Sequence, residues 1–231
     1  MKTNSLKSIL KQLEAHAVPG EAEGMARFGI TAKTVYGVST PALKAMAKDI
    51  GKNHEVALEL WGTEIYDARA LAIFIEEPDK ITEEQMEAWA SDFDSWAICD
   101  GACLHAFDKT PFAWKKAIEW SKRKEDFIKR AGYSLMAVLA VHDKKAPDEK
   151  FVRFLPLIER AATDERNFVK KAVNWALRQI GKRNLALNEK AIETARSIQK
   201  LDSKSAKWIA ADAIRELRSE AVQKRLRKKI I

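Results

Sequence analysis

Apolar residues recur along this chain at intervals of three and four, the spacing that lines one face of a helix. Leu6, Ile9, Leu10 and Leu13 make such a face over a helix predicted from Ser5 to Ala15. Pro19-Gly20 closes it, and the stretch to Gly37 reads as irregular or short helix. Ser39-Thr40-Pro41 then offers a capping hydroxyl ahead of a first-turn proline, and Leu43, Met46, Ala47 and Ile50 form a stripe that Gly51 ends. A further helix is predicted from about Glu55 to Gly62. The next, Tyr66 to Glu76, is apolar nearly all round, which demands burial, and Pro78 stops it.

Beyond Pro78 the pattern alternates. Amphipathic helices predicted at Thr82 to Ala90, Pro111 to Ser121, Glu149 to Ala162, Leu187 to Ile198 and Glu220 to Lys228 are interleaved with more apolar ones. The apolar set begins at Arg69, Trp96, Arg130, Lys171 and Trp208, separated by 27, 34, 41 and 37 residues. Helix pairs repeating at such intervals bury their apolar faces only by stacking on their neighbours, as HEAT or armadillo arrays do. The prediction is an all-α, HEAT-like repeat solenoid of about six helical hairpins with a basic concave face, forming a single domain over residues 1–231. The five leading residues are expected to fall in register along one rim or groove.

Composition agrees with helices, since 9 Gly and 6 Pro in 231 residues are too few to punctuate many short strands. Charge changes the picture more. Residues 1–121 hold 13 Lys+Arg against 19 Asp+Glu, whereas residues 122–231 hold 28 against 14, so the overall +8 belongs to the C-terminal half. A basic half suggests a polyanionic partner such as nucleic acid or an anionic membrane surface. Lysines interrupt the N-terminal apolar positions and no apolar run approaches a membrane span, so a soluble cytoplasmic protein is expected. Cys99 and Cys103, the two cysteines, read as small buried residues. No glycine-rich phosphate loop, HExxH pair or GxSxG elbow is present, and four histidines lack ligand spacing, so no metal or other cofactor is expected.

What remains is a carboxylate, several tryptophans and a set of cations. In Ser95-Trp96-Ala97-Ile98-Cys99-Asp100, helical spacing puts Trp96 and Asp100 one turn apart on the same face, with no basic residue within four positions of Asp100. Such a carboxylate either accepts a hydrogen bond from a neighbouring loop or helix end, or serves a site. Trp61, Trp89, Trp114 and Trp120 read as packing residues. Lys170, Lys171, Arg178, Lys182 and Arg183 crowd around Trp175, as a phosphate-binding rim requires.

The Trp96 to Asp100 block, Phe127-Ile128-Lys129-Arg130-Ala131, and the run from Phe168 to Arg178 that contains Trp175-Ala176-Leu177-Arg178 resemble the alkylpurine DNA glycosylases of the AlkD type, a HEAT-like repeat family. Met25-Ala26-Arg27-Phe28 and Tyr36 to Pro41 are similar to that family's N-terminal segment, so the resemblance covers most of the chain. It implies that Asp100 is the catalytic aspartate, Trp96 and Trp175 the lesion-flanking tryptophans, and Arg130 a DNA-contacting arginine. The implied partner is duplex DNA containing alkylated bases, bound by a monomer without an obligate protein partner, in the cytoplasm and on the nucleoid. Two departures bear on substrate range: Ala97 stands where the family more often has an acidic residue, and Phe127-Ile128-Lys129 replaces a Trp-Leu-Arg-like run. A non-catalytic HEAT-like binder of DNA structures and a helical protein-binding scaffold are the alternative readings.

Overall fold

The computed structural model describes residues 5–228. Among them are fifteen α-helices and two short 3-10 turns, and the only β pairing is an isolated bridge between Thr34 and Ile65. No helix among the described residues is long and apolar enough to cross a membrane. Helices pack both on their sequence neighbours and on helices two or three elements away, as the stacked pairs of repeat arrays do. The helices cluster into two compact units, Met1–Thr110 and Pro111–Ile231.

In the first unit α1 (Leu6–Ala15) buries Ile9 and Leu13, and Ser5 caps it by accepting from the Ser8 amide. A short helix, α2 (Glu21–Arg27), buries no residue. Next come α3 (Thr40–Ile50) and α4 (His54–Trp61), capped by Ser39 and Asn53. The nearly all-apolar α5 (Tyr66–Ile75) packs against both and buries seven of its ten residues. A 3-10 turn (Pro78–Lys80) leads to α6 (Glu83–Ser91) and α7 (Trp96–His105), and α7 packs on α5. Trp61 stacks on Trp89 with ring centroids 3.9 Å apart, and Phe93 and Phe107 close around them, so Trp61 and Trp89 are core residues.

The second unit begins with the pair α8 (Ala113–Trp120) and α9 (Asp126–His142). Every residue from Ile128 to Ala140 except Lys129 is buried. The close packing of α9 on α8 depends on Gly132, where an added Cβ would lie 2.4 Å from the Ser121 nitrogen. The single helix predicted from Glu149 to Ala162 is instead two, α10 (Asp148–Val152) and α11 (Leu155–Ala161). The break has a physical cause: Pro156 has no amide to continue the first helix and is tolerated only in the first turn of a new one. Phe151 and Phe154, on either side of the break, are both fully buried and both pack against Trp114. Then follow α12 (Asn167–Gly181), α13 (Leu185–Gln199), α14 (Lys204–Leu217) and α15 (Glu220–Arg227). The five apolar segments predicted to recur form α5, α7, α9, α12 and α14.

Polar side chains lock the register between successive pairs of the second unit. Asp164, in the turn before α12, accepts from Lys129 of α9 at 2.8 Å and from Arg166 at 2.6 Å. Glu165 accepts from the Ser203 hydroxyl and the Ser205 amide at the start of α14. Burial alone would raise the Asp164 pKa, but the bonds from Arg166 and Lys129 outweigh it and hold the carboxyl well below the usual carboxylate range. A depressed carboxylate stabilises the fold fully above its unfolded pKa of about 4 and loses that contribution as pH falls toward its native pKa. Thermal melts should therefore show the parent protein losing stability below about pH 4 more steeply than Asp164→Asn, which is weaker at neutral pH. Parallel pH profiles for the two would overturn this assignment.

Candidate active site

Serine, small residues and one carboxylate build the wall of the site. Ser95 is the N-cap of α7, fully buried, and accepts from the Ile98 amide. It starts the helix at Trp96, so Trp96 and Asp100 lie one turn apart on the same face, as their spacing predicts. Ile98, Cys99, Ala102 and Cys103 turn into the core. The free face borders a cleft of about 660 Å³ lined by Trp96, Ala97, Asp100, Gly101 and His105 from α7, Tyr66, Ala70 and Phe74 from α5, and Met25, Val38 and Leu43 from the N-terminal segments. This lies within the range of small-molecule and cofactor sites, about 300–1,000 Å³.

Three features shape the cleft. The Trp96 indole N–H donates to the Phe28 carbonyl at 2.8 Å, fixing the ring plane and tying the end of α2 to the mouth. Asp67, fully buried in the first turn of α5, accepts from the amides of Tyr36 at 2.6 Å and Val38 at 2.8 Å. It holds the strand-like stretch through Gly37, whose φ of 76° suits glycine and which packs against Glu21 too closely for a Cβ. Finally, burial and the charges of Asp67 and Asp94 push the Tyr66 phenol up to about 12, so it remains a protonated donor at neutral pH. Replacing Asp67 by Ala leaves the two amides without their acceptor, at a cost of about 1–3 kcal/mol each where buried. The denaturant midpoint should fall accordingly, and an unchanged midpoint would show that water or backbone replaces the carboxylate.

The remaining predicted residues lie in the second unit. Trp175 is half-buried on α12, and Lys171 is exposed. Lys170 sits over the ring of Trp208, 5.6 Å from its centroid, and Trp208 is exposed. Arg130 is only 6% exposed and donates to the Phe168 carbonyl at 2.6 Å. Arg178 pairs with Glu216 and, at 3.6 Å, with Asp212, and Lys182 reaches Glu216 at 2.5 Å. Arg183 donates to the carbonyls of Ala140 and Ala146 and stacks on Phe151. Of the five cations gathered by sequence around Trp175, Lys171 is therefore the one left fully exposed.

The five leading residues also do not share one environment. In the first unit Arg69 is buried and donates to the carbonyls of Trp61 and Asp92. Arg130 does the same to Phe168 in the second, whereas Lys171 and Trp208 face solvent. Sequence reasoning missed Tyr66, Phe74 and His105 as cleft residues. Their signal was weak, an aromatic or imidazole at the margin of an apolar helix, which packing alone also explains. Cys99 and Cys103 are both buried, and no cluster among the described residues could hold a metal ion.

An all-helical repeat protein with a carboxylate and aromatic rings in one cleft is the class that fold and site define. Comparison places it more closely. The sequence model of the family described as "DNA alkylation repair enzyme" matches residues 9–217, and the chain belongs to that family. Among curated proteins it is 26% identical over 170 residues to the uncharacterized protein Lin0241 of Listeria innocua, covering 72% of this chain and 74% of that one. The uncharacterized protein Lmo0209 of Listeria monocytogenes matches with the same identity and coverage. A solved structure described as "a new family of proteins related to the HEAT-like repeat DNA glycosylases with affinity for branched DNA structures" superposes with a TM-score of 0.77. It shares 24% identity and covers 91% of this chain and 94% of its own, which establishes the HEAT-like fold.

Proposed function

We propose that the protein is a DNA glycosylase that hydrolyses the N-glycosidic bond of N3- or N7-alkylated purines in duplex DNA. The observation that carries this reading is the position of Asp100, one turn from Trp96 in an aromatic-lined cleft of a DNA alkylation repair family member. Alkylation at N3 or N7 gives the purine a positive charge. As the bond to C1′ breaks, its electron pair goes to the base, which leaves neutral, and the sugar becomes an oxocarbenium ion. Water adds to C1′ and gives up a proton, leaving an abasic site and a free alkylpurine. No acid is needed to expel such a leaving group. The Asp100 carboxylate stabilises the developing positive charge on the sugar and orients the water. The Trp96 ring, held by the Phe28 carbonyl, attracts the cationic nucleoside by about 0.5–2 kcal/mol. In the second unit the exposed Lys171 of α12 meets backbone phosphates. Purified protein incubated with alkylated duplex should release free alkylpurine without added metal, and absence of release would defeat the reading.

A second reading, a binder of DNA structures without excision, is favoured by one observation. Arg130, the arginine carried over as a DNA contact, is buried and spends a donor on the Phe168 carbonyl. The affinity for branched DNA ascribed to the structurally similar protein is of this kind. Binding to junctions without base release would favour it. A protein-binding scaffold predicts no salt-dependent DNA binding at all.

A further inference from the structure

The first unit is acidic, with 11 Lys+Arg against 18 Asp+Glu in residues 1–110, yet four of those cations collect beside the Trp96–Asp100 cleft. Lys44 and Lys48 are exposed on α3, one turn apart, and Lys52 follows just beyond its C-cap, Gly51. With Phe74 they line a shallow cleft of about 330 Å³. Phe74 is shared, because it also lines the cleft that holds Asp100. The Lys44 ammonium lies 5.7 Å from the Phe74 ring centroid, and Lys52 donates to the carbonyls of Phe74 and Glu76 at 3.0 and 2.9 Å. The His105 ring packs with its centroid 5.0 Å from that of Phe74, and Lys109 donates to the His105 carbonyl at 3.0 Å.

The ammonium groups of Lys52 and Lys109 repel one another. Burial and then the charge of Lys109 lower the Lys52 pKa, against the opposing pull of Glu76 and Glu77. Arg69 and Lys80 make ion pairs in this unit, whereas none of the four lysines makes one among the described residues. Like charges gathered without a paired carboxylate in an otherwise acidic unit suit an anion supplied from outside. Four residues of helix advance about 6 Å along its axis. Lys44 and Lys48 can thus address separate phosphates of a strand that carries one charge per roughly 3.4 Å of duplex.

We propose that Lys44, Lys48, Lys52 and Lys109 form a phosphodiester-binding track that carries a DNA strand along Phe74 past the mouth of the Trp96–Asp100 cleft. The inference rests on reading that cleft as a DNA site, and it assigns backbone contacts to the half of the chain whose overall charge argues against them. It is tested with Lys44→Ala/Lys48→Ala, both side chains being exposed, and with Lys7→Ala/Lys11→Ala on α1 as a control of equal charge change. Fluorescence anisotropy of alkylated and undamaged duplexes is followed across a salt series, with melting curves to verify folding. The α3 double variant should lose about tenfold or more in affinity for both duplexes, and its log K against log[salt] slope should fall by about two units. The control should keep the parent slope. Unchanged affinity and slope in the α3 variant, or an equal loss in the control, would overturn the track. A parent protein that binds through these lysines but releases no base would instead defeat the glycosylase reading and leave the track standing. A parent that binds no duplex at low salt would defeat both.

Discussion

Asp100→Asn should slow release of a cationic alkylpurine by about a hundredfold or more while leaving duplex affinity equal or slightly higher. The asparagine keeps the size and the acceptor oxygen of the carboxylate but removes its negative charge. Loss of one preorganised electrostatic stabiliser costs about 2.7–4 kcal/mol in the transition state, which sets the scale of the effect. Binding responds differently, because a carboxylate beside a polyanion is at best neutral for affinity. The effect should therefore appear in the single-turnover rate at saturating enzyme and not in the anisotropy titration. A variant that excises as fast as its parent would make Asp100 a structural residue. One that loses binding and rate together would place it in DNA contact instead of at the reacting sugar.

The second large effect is on the fold. Gly132→Ala should lower stability by about 3 kcal/mol or more, the upper range for overpacking, because the new Cβ meets backbone and not the end of a pliable side chain. It would stand 2.4 Å from the Ser121 nitrogen and 2.8 Å from the Trp120 carbonyl carbon. To make room, α8 must move off α9. That displaces Trp120, which is fully buried, and draws the Ser121 carbonyl away from the Tyr133 hydroxyl, which donates to it at 3.4 Å. Against a domain stability of about 5–15 kcal/mol this is a large fraction. Gly24→Ala is the contrast: nothing lies within 4 Å of its added Cβ on α2, so helix propensity should make that change neutral or favourable. Urea midpoints of the two variants measure the difference, and equal midpoints would show that α8 yields without cost.

Local periodicity determined much of this protein by itself. Apolar spacing marked the five helices that recur, and the capping hydroxyl ahead of Pro41 marked where one helix begins. The pairing of Trp96 with Asp100 was legible because four residues of helix bring two side chains to one face whatever surrounds them. Tertiary structure decided what meets across helices. Tyr66 and Phe74 enter the cleft because α5 packs on α7, and Val38 enters because the buried Asp67 captures two amides 29 and 31 residues away. Pro156 breaks α10 from α11 locally, but that Phe151 and Phe154 both meet Trp114 across the break is a tertiary outcome.

The cations show the boundary most clearly. A sequence displays a charge but not the acceptor that claims it. Arg130, Arg178, Lys182 and Arg183 look alike as members of a basic half, yet their partners lie 34 to 43 residues away, on carbonyls and carboxylates that only folding delivers. Lys44, Lys48, Lys52 and Lys109 look incidental in an acidic half, yet packing of α3 and the end of α7 around Phe74 brings them together. Helical faces follow from the order of residues along the chain, whereas the electrostatic character of a surface follows from which charges the fold has already paired.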